Sequence, residues 1–201
     1  MSGPRDALAT IVARVHDGAA LLPGRAAPSA VPGVRTRLVC VDGPAGSGKS
    51  TLAARLAVAL DAQVVHMDDL YEGWDAGPAG GARRLGSWVL GPLAAGRSGR
   101  YRRYDWADGA YAEAHDVPLA PVVVVEGCGA GARQVDPWAT LLVWVEAPDA
   151  ERLRRGLARD GQGERDHWLR WMADEAEFFA EHDVRRRAGV EVDGWGRLVR
   201  A

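Results

Sequence analysis

The chain has 201 residues, of which 25 are Lys or Arg and 27 are Asp or Glu, leaving a net charge of −2. That length accommodates one domain and is too short for two large ones, and so small a charge leaves no electrostatic footprint for nucleic acid or an anionic membrane. Cys40 and Cys128 suggest neither a disulfide framework nor a metal site, no apolar run reaches bilayer length, and the N-terminus lacks a signal-peptide pattern, so the expected home is a reducing cytoplasm.

Residues 6 to 17 hold Leu8, Ile11, Val12 and Val15 at helical spacing, which predicts a short amphipathic helix. Leu21-Leu22-Pro23-Gly24 and a Pro/Ala/Gly stretch to Gly33 follow. Residues 1–33 thus read as an appendage to a main domain at 34–201. One short helix is marginal alone, which favours docking on that domain over a role in partner contact.

Leu38-Val39-Cys40-Val41 is an apolar run of strand length, and Thr51 to Leu60 carries leucines at 52, 56 and 60, the spacing of a helix. Between them stands Gly43-Pro44-Ala45-Gly46-Ser47-Gly48-Lys49-Ser50, a complete phosphate-binding loop containing the only lysine of the chain. Strand, glycine loop and helix are the context that gives this motif its chemistry. Glycines let successive N–H groups turn onto phosphates, Lys49 supplies a compact cation, Ser50 offers its hydroxyl to Mg²⁺, and the helix N-terminus adds its partial positive charge. Gly43, Ala45, Gly46, Ser47, Gly48, Lys49, Ser50 and Thr51 are the expected ATP contacts.

Further strands are predicted at Gln63–Met67, Val122–Val125, Leu141–Val145 and Val190–Val192. Continuous apolar strands separated by helical patterns imply a doubly wound α/β fold, a parallel sheet of about five strands with helices on both faces. Ligands gather at the carboxyl ends of such strands. Three strands end in acids there: Asp68 and Asp69, Glu126, and Glu146. An acid beside a triphosphate repels it unless it holds Mg²⁺ or accepts a proton. Asp68 is therefore the expected base and Glu126, with Ser50, the expected Mg²⁺ contact. Asp69 reads as a turn acid, Glu146 as support for the helix that follows, and His66 as a core histidine.

In Glu151–Asp160, Leu153 and Leu157 can face a core while Arg152, Arg155 and Arg159 form a cationic stripe, followed by the loose segment Gly161-Gln162-Gly163. Spacing alone leaves open whether this is a cover that closes over phosphates or a solvated face. Of the eight tryptophans, Trp74 and Trp106 fall beside the expected acceptor site, and Trp88, Trp144, Trp168 and Trp171 read as core. The histidines lack metal-ligand spacing, so no structural zinc is expected.

The ordered set of Gly43 to Ser50, Asp68-Asp69-Leu70-Tyr71, Tyr104-Asp105-Trp106, Val125-Glu126-Gly127, and Arg152, Arg155 and Arg159 resembles the uridine kinase and phosphoribulokinase group of P-loop small-molecule kinases. The resemblance spans residues 36 to 193. It implies an ATP- and Mg²⁺-dependent kinase with a small hydroxyl-bearing acceptor. Lys49, Asp68 and the lid arginines Arg155 and Arg159 would be catalytic, and Tyr71, Trp74, Tyr104, Asp105 and Trp106 would line the acceptor site. Ala107-Asp108-Gly109-Ala110-Tyr111 lacks the basic residue that uridine-specific members place after the triplet, so the resemblance implies phosphoryl transfer without assigning uridine. A nucleotide-hydrolysing switch and a nucleotide-binding adaptor are the alternatives. The oligomeric state is left open.

Overall fold

The computed structural model describes residues 6–23 and 34–201; most of the Pro/Ala/Gly stretch read from the sequence lies outside them. In chain order the elements are α1 (Ala7–Asp17), β1 (Arg37–Asp42), α2 (Lys49–Leu60), β2 (Gln63–His66), α3 (Gly77–Arg84), α4 (Gly91–Ala94), β3 (Gly99–Asp105), β4 (Ala110–Val117), β5 (Val122–Glu126), β6 (Ala139–Glu146), α5 (Asp149–Asp160), α6 (Arg165–His182), α7 (Val184–Arg187), β7 (Val190–Asp193) and β8 (Leu198–Arg200). A π-helical stretch, Leu85–Leu90, joins α3 to α4.

The main sheet has six strands in the order β2-β5-β1-β6-β7-β8, all parallel except β8, which runs antiparallel to β7. Successive residues of β1 alternate between two cores. Leu38 and Cys40 join Val123, Val125, Trp144, Trp171 and Phe178 on one face, while Val39 and Val41 join Val124, Val143, Leu52 and Leu56 on the other. Burial on both faces is why these strands read as unbroken apolar runs. β8 and the β3–β4 hairpin were not anticipated: Leu198–Arg200 is a short edge strand, and in β3 arginines alternate with Tyr101 in a pattern that charge disguises.

The predicted N-terminal helix forms with Asp6 as its cap, the carboxylate accepting Leu8 N–H at 3.0 Å. Ile11 and Val15 are fully buried in the core that also holds Leu52 and Leu56. Each such side chain contributes roughly 1.5–3 kcal/mol of transfer free energy, enough to hold a helix that would fray alone. The Arg37 guanidinium anchors the segment further, donating to Gly18 O at 3.0 Å. No helix among the described residues is long and apolar enough to cross a membrane.

Candidate active site

β1 lies between β5 and β6, so the carboxyl ends of β1, β5 and neighbouring β2 open on one crevice, the switch position where doubly wound sheets bind ligands. A cavity of about 890 Å³ occupies it. Of the expected nucleotide contacts, Ala45, Gly46, Gly48, Lys49, Ser50 and Thr51 line the cavity. Gly43 and Ser47 do not: the Gly43 N–H is committed to Asp42 Oδ1 at 2.7 Å, and the Ser47 side chain is fully buried.

The first-turn amides of α2 have no acceptor within the helix, so they are available to a ligand on the cavity side. Gly46, at φ 76°, has a geometric requirement of its own: a Cβ there would stand 2.6 Å from Arg152 O. Lys49 is buried, its ammonium donating to Pro44 O at 2.9 Å. Burial works against its charge, but nearby Cys128, Glu126, Glu175 and Asp42 outweigh that loss and hold its pKa above the ordinary lysine value.

Parallel register sets His66 of β2 directly beside Glu126 of β5. His66 Nδ1 lies 2.7 Å from Glu126 Oε1, and Ser50 Oγ donates to both carboxylate oxygens at 3.1 and 3.2 Å. Burial would raise the Glu126 pKa, but the His66 hydrogen bond and the Lys49 charge hold it below the ordinary glutamate value. His66 is thus no core residue: its side chain is 47% exposed. Ser50 and Glu126 form an oxygen pair suited to Mg²⁺, which takes few protein ligands when phosphates complete its shell. Among the described residues no group of three or more His, Cys, Asp or Glu side chains is assembled as a metal cage.

Asp68 stands in the short 3₁₀ turn after β2 and opens on the same cavity. The protein enclosing its other sides raises its carboxyl above the ordinary value through lost hydration and then the Glu126 charge, against Lys49, Arg159 and His66. Tyr71, Trp74 and Trp106 also line the cavity. The Tyr71 hydroxyl is not free for a ligand, since it donates to Cys128 O at 2.6 Å. Tyr104 and Asp105 stay outside the lining. Asp105 instead shapes the hairpin turn, accepting Ala107 N–H at 3.0 Å and Arg103 at 3.0 Å, and Tyr104 packs against Tyr111.

The cationic stripe divides. Arg155 and Arg159 face the cavity from α5, whereas Arg152 is buried, pairing with Glu175 Oε1 of α6 at 2.6 Å. Arg155 is fastened to its surroundings, donating to Gly46 O and Gly194 O, each at 3.2 Å. The loose segment after α5 is a single 3₁₀ turn, Gln162–Glu164, leading directly into α6. Asp69 accepts from the Tyr101 hydroxyl at 3.1 Å, and Glu146 from Trp144 Nε1 at 3.1 Å.

Sequence reasoning missed several residues of this region. Trp168 and Trp171 are buried, as expected, yet also form cavity wall, and Trp195 and Gly194 line it as well. Buried Asp42 and Glu175 both hold the phosphate loop. Asp42 ends the strand before the loop, a readable position, but Glu175 carried no local signal.

No protein-family model matches the chain, and no curated protein matches its sequence. Solved structures do match in fold. A protein described as a possible uridine kinase from Bacillus stearothermophilus superposes with TM-score 0.63 at 16% identity, over 94% of this chain and 98% of that one. A D-glycerate 3-kinase from Cryptococcus neoformans gives 0.60 at 14% identity, over 96% and 95%. A provisionally assigned fructose transport system kinase from Silicibacter sp. TM1040 gives 0.52 at 25% identity, over 90% and 94%. The chain has the fold of these P-loop kinases along nearly its whole length, in agreement with its motif resemblance to the uridine kinase and phosphoribulokinase group.

Proposed function

We propose that the chain is an ATP- and Mg²⁺-dependent kinase that phosphorylates a hydroxyl of a small metabolite. The observation that carries this reading is the convergence of Lys49, Asp68 and Glu126 on one cavity, from three different sheet crossings. A binding module needs a phosphate cradle. It does not need a carboxylate opposite with no donor reaching it among the described residues.

In this reading the amides at the start of α2 and the Lys49 ammonium hold the triphosphate of ATP, and its base lies toward Trp195 and Gly194. Ser50 and Glu126 hold Mg²⁺, which would offset the charge of the phosphates. Asp68 orients the acceptor hydroxyl and takes its proton. The hydroxyl oxygen bonds to the γ-phosphorus as the bond to the bridging oxygen breaks, and ADP leaves. Arg155 and Arg159 place positive charge on the far wall, where the transferred group carries its negative charge. The fold likeness to kinases of three different small molecules supports phosphoryl transfer as the chemistry and leaves the acceptor to be read from this chain's own wall.

The test is ADP release with MgATP across a panel of nucleosides, sugars and other alcohols. Release that depends on an added alcohol, and is lost in Lys49→Ala, supports the kinase. Release independent of any alcohol favours a hydrolysing switch, and ATP binding without turnover favours an adaptor.

A further inference from the structure

The half of the cavity next to Asp68 is walled by indoles. Trp74 is their hub, its ring centroid 5.3 Å from that of Trp106, 6.0 Å from Trp171 and 6.4 Å from Trp168. The cluster begins at the base itself, because Trp106 Nε1 donates to Asp68 O at 3.0 Å.

Apart from the Trp74 N–H, the polar edges on this wall are paired within the protein. Trp168 Nε1 donates to Asp160 at 2.9 Å, Trp171 Nε1 to Glu175 at 3.1 Å, and the Tyr71 hydroxyl to Cys128 O at 2.6 Å. Selecting a neutral heterocycle by its edge requires free, fixed donors and acceptors on the wall. Beyond the single Trp74 N–H, this wall offers ring faces, which carry negative potential at their centres, and carboxylates. Asp68 has no donor within reach among the described residues, and Glu164, whose carboxylate pairs with His167 at 2.8 Å, opens on the same space.

The wall already holds one cation in this manner. Arg159 Cζ lies 5.7 Å from the Trp168 ring centroid while its guanidinium pairs with Asp160 at 2.7 Å. Among the described residues no arginine or lysine covers Trp74 or Trp106; the His167 ring lies 5.5 Å from that of Trp74, and Trp106 is 40% exposed. The exposed Trp106 ring, with Trp74 packed beside it and an unpaired carboxylate next to both, forms a receptor for a positive charge.

We propose that the phosphoryl acceptor is an alcohol bearing a cationic nitrogen, an amine or quaternary ammonium group, whose charge rests on Trp74 and Trp106 while its hydroxyl faces Asp68. The hydroxyl half of this statement rests on the kinase reading; the cation half does not. Attraction of a cation to ring faces, added to the nearby carboxylate, gives a preference over a neutral molecule of the same shape on the order of tenfold or more.

The experiment uses the full chain with Mg²⁺ and a non-hydrolysable ATP analogue. Calorimetric titration follows a panel of amino and quaternary ammonium alcohols, each paired with its neutral carbon isostere, choline against 3,3-dimethyl-1-butanol being the smallest pair. At least one cation is expected to bind about tenfold or more tightly than its isostere, with the gap closing in Trp74→Leu and narrowing in Trp106→Leu, at the more exposed of the two rings. Isosteres that bind as tightly as their cations, or a panel in which no cation binds, would overturn the proposal. ADP release from the same pairs with MgATP separates the two readings. Cation-selective binding without ADP from any alcohol sinks the kinase and leaves the cation site standing, whereas equal turnover of cation and isostere does the reverse.

Discussion

Glu175 Oε2 accepts the backbone N–H of Ala45 at 2.8 Å, so a carboxylate on α6 holds the phosphate loop from a position 130 residues away in sequence. Its other oxygen pairs with Arg152, whose guanidinium donates in turn to Ala45 O at 3.2 Å. One residue of the loop is thereby gripped on both its N–H and its C=O by a buried ion pair.

Removing one partner of that pair leaves the other charge buried, which typically costs about 3–5 kcal/mol. Arg152 keeps Asp149 at 2.7 Å, so Glu175→Ala should fall at the lower end, about 3 kcal/mol by urea denaturation. ATP affinity should fall with it, and Glu175→Gln should recover part of both. A Glu175→Ala protein with wild-type stability and ATP affinity would show that the grip is incidental.

Lys49 and Asp68 should separate binding from chemistry. Lys49→Ala removes the cation of the cradle, so ATP affinity and turnover fall together. Asp68→Asn keeps the shape and loses the proton acceptor, so ATP binding stays near wild type while kcat drops roughly 10²–10⁴-fold. Calorimetry with an ATP analogue and steady-state ADP release measure the two quantities, and undiminished turnover in Asp68→Asn removes Asp68 from its role.

Asp42 should impose a pH dependence on folding. Burial pushes its carboxyl up from 3.8 to about 6, although the N–H groups of Gly131, Gly43 and Gly129 and the Lys49 charge favour the ionised form. The folded state therefore binds a proton that the unfolded chain releases between those two values. The resulting stability is fully present below about pH 3.8 and is lost as pH rises through about 6, a change of roughly 3 kcal/mol. Denaturation curves of the wild type and Asp42→Asn, compared between pH 4 and 6, isolate this contribution: the wild type should lose stability relative to the variant as pH rises. Parallel curves would mean that Asp42 titrates as in the unfolded chain.

Gly156 is where α5 meets α6, and a Cβ there would approach the Trp168 ring to 2.2 Å. Gly156→Ala should cost about 1–3 kcal/mol by overpacking, seen as a lowered thermal midpoint. Because Arg155 and Arg159 flank this contact, kcat should fall as well. Unchanged stability and rate would mean that the two helices adjust freely.

The phosphate loop was legible because its chemistry is local: a strand, glycines that free the backbone, one lysine and a helix start are all contiguous. The sheet was legible because strands covered on both faces must be apolar at every position, a pattern that survives without knowledge of neighbours. Asp68 and Glu126 were singled out by the same logic, as acids at strand ends, and both line the cavity. His66 misled because a polar residue at a strand end reads alike whether it points inward or outward, and only the β2–β5 register sets it against Glu126. Asp105 misled because its motif marks a hairpin turn here, where its carboxylate binds backbone amides.

The amino-acid order alone determined the α/β architecture, the glycine-rich loop between β1 and α2 and the strand-end acids, since each follows from periodicity or from residues in one stretch of chain. Tertiary structure decided which arginine is buried and which two face the cavity, that Glu175 grips Ala45, and that Trp74, Trp106, Trp168 and Trp171 form one wall. Those relationships join segments separated by tens to more than a hundred residues, and their distances are set by how α5 and α6 pack over the sheet, which no local pattern encodes.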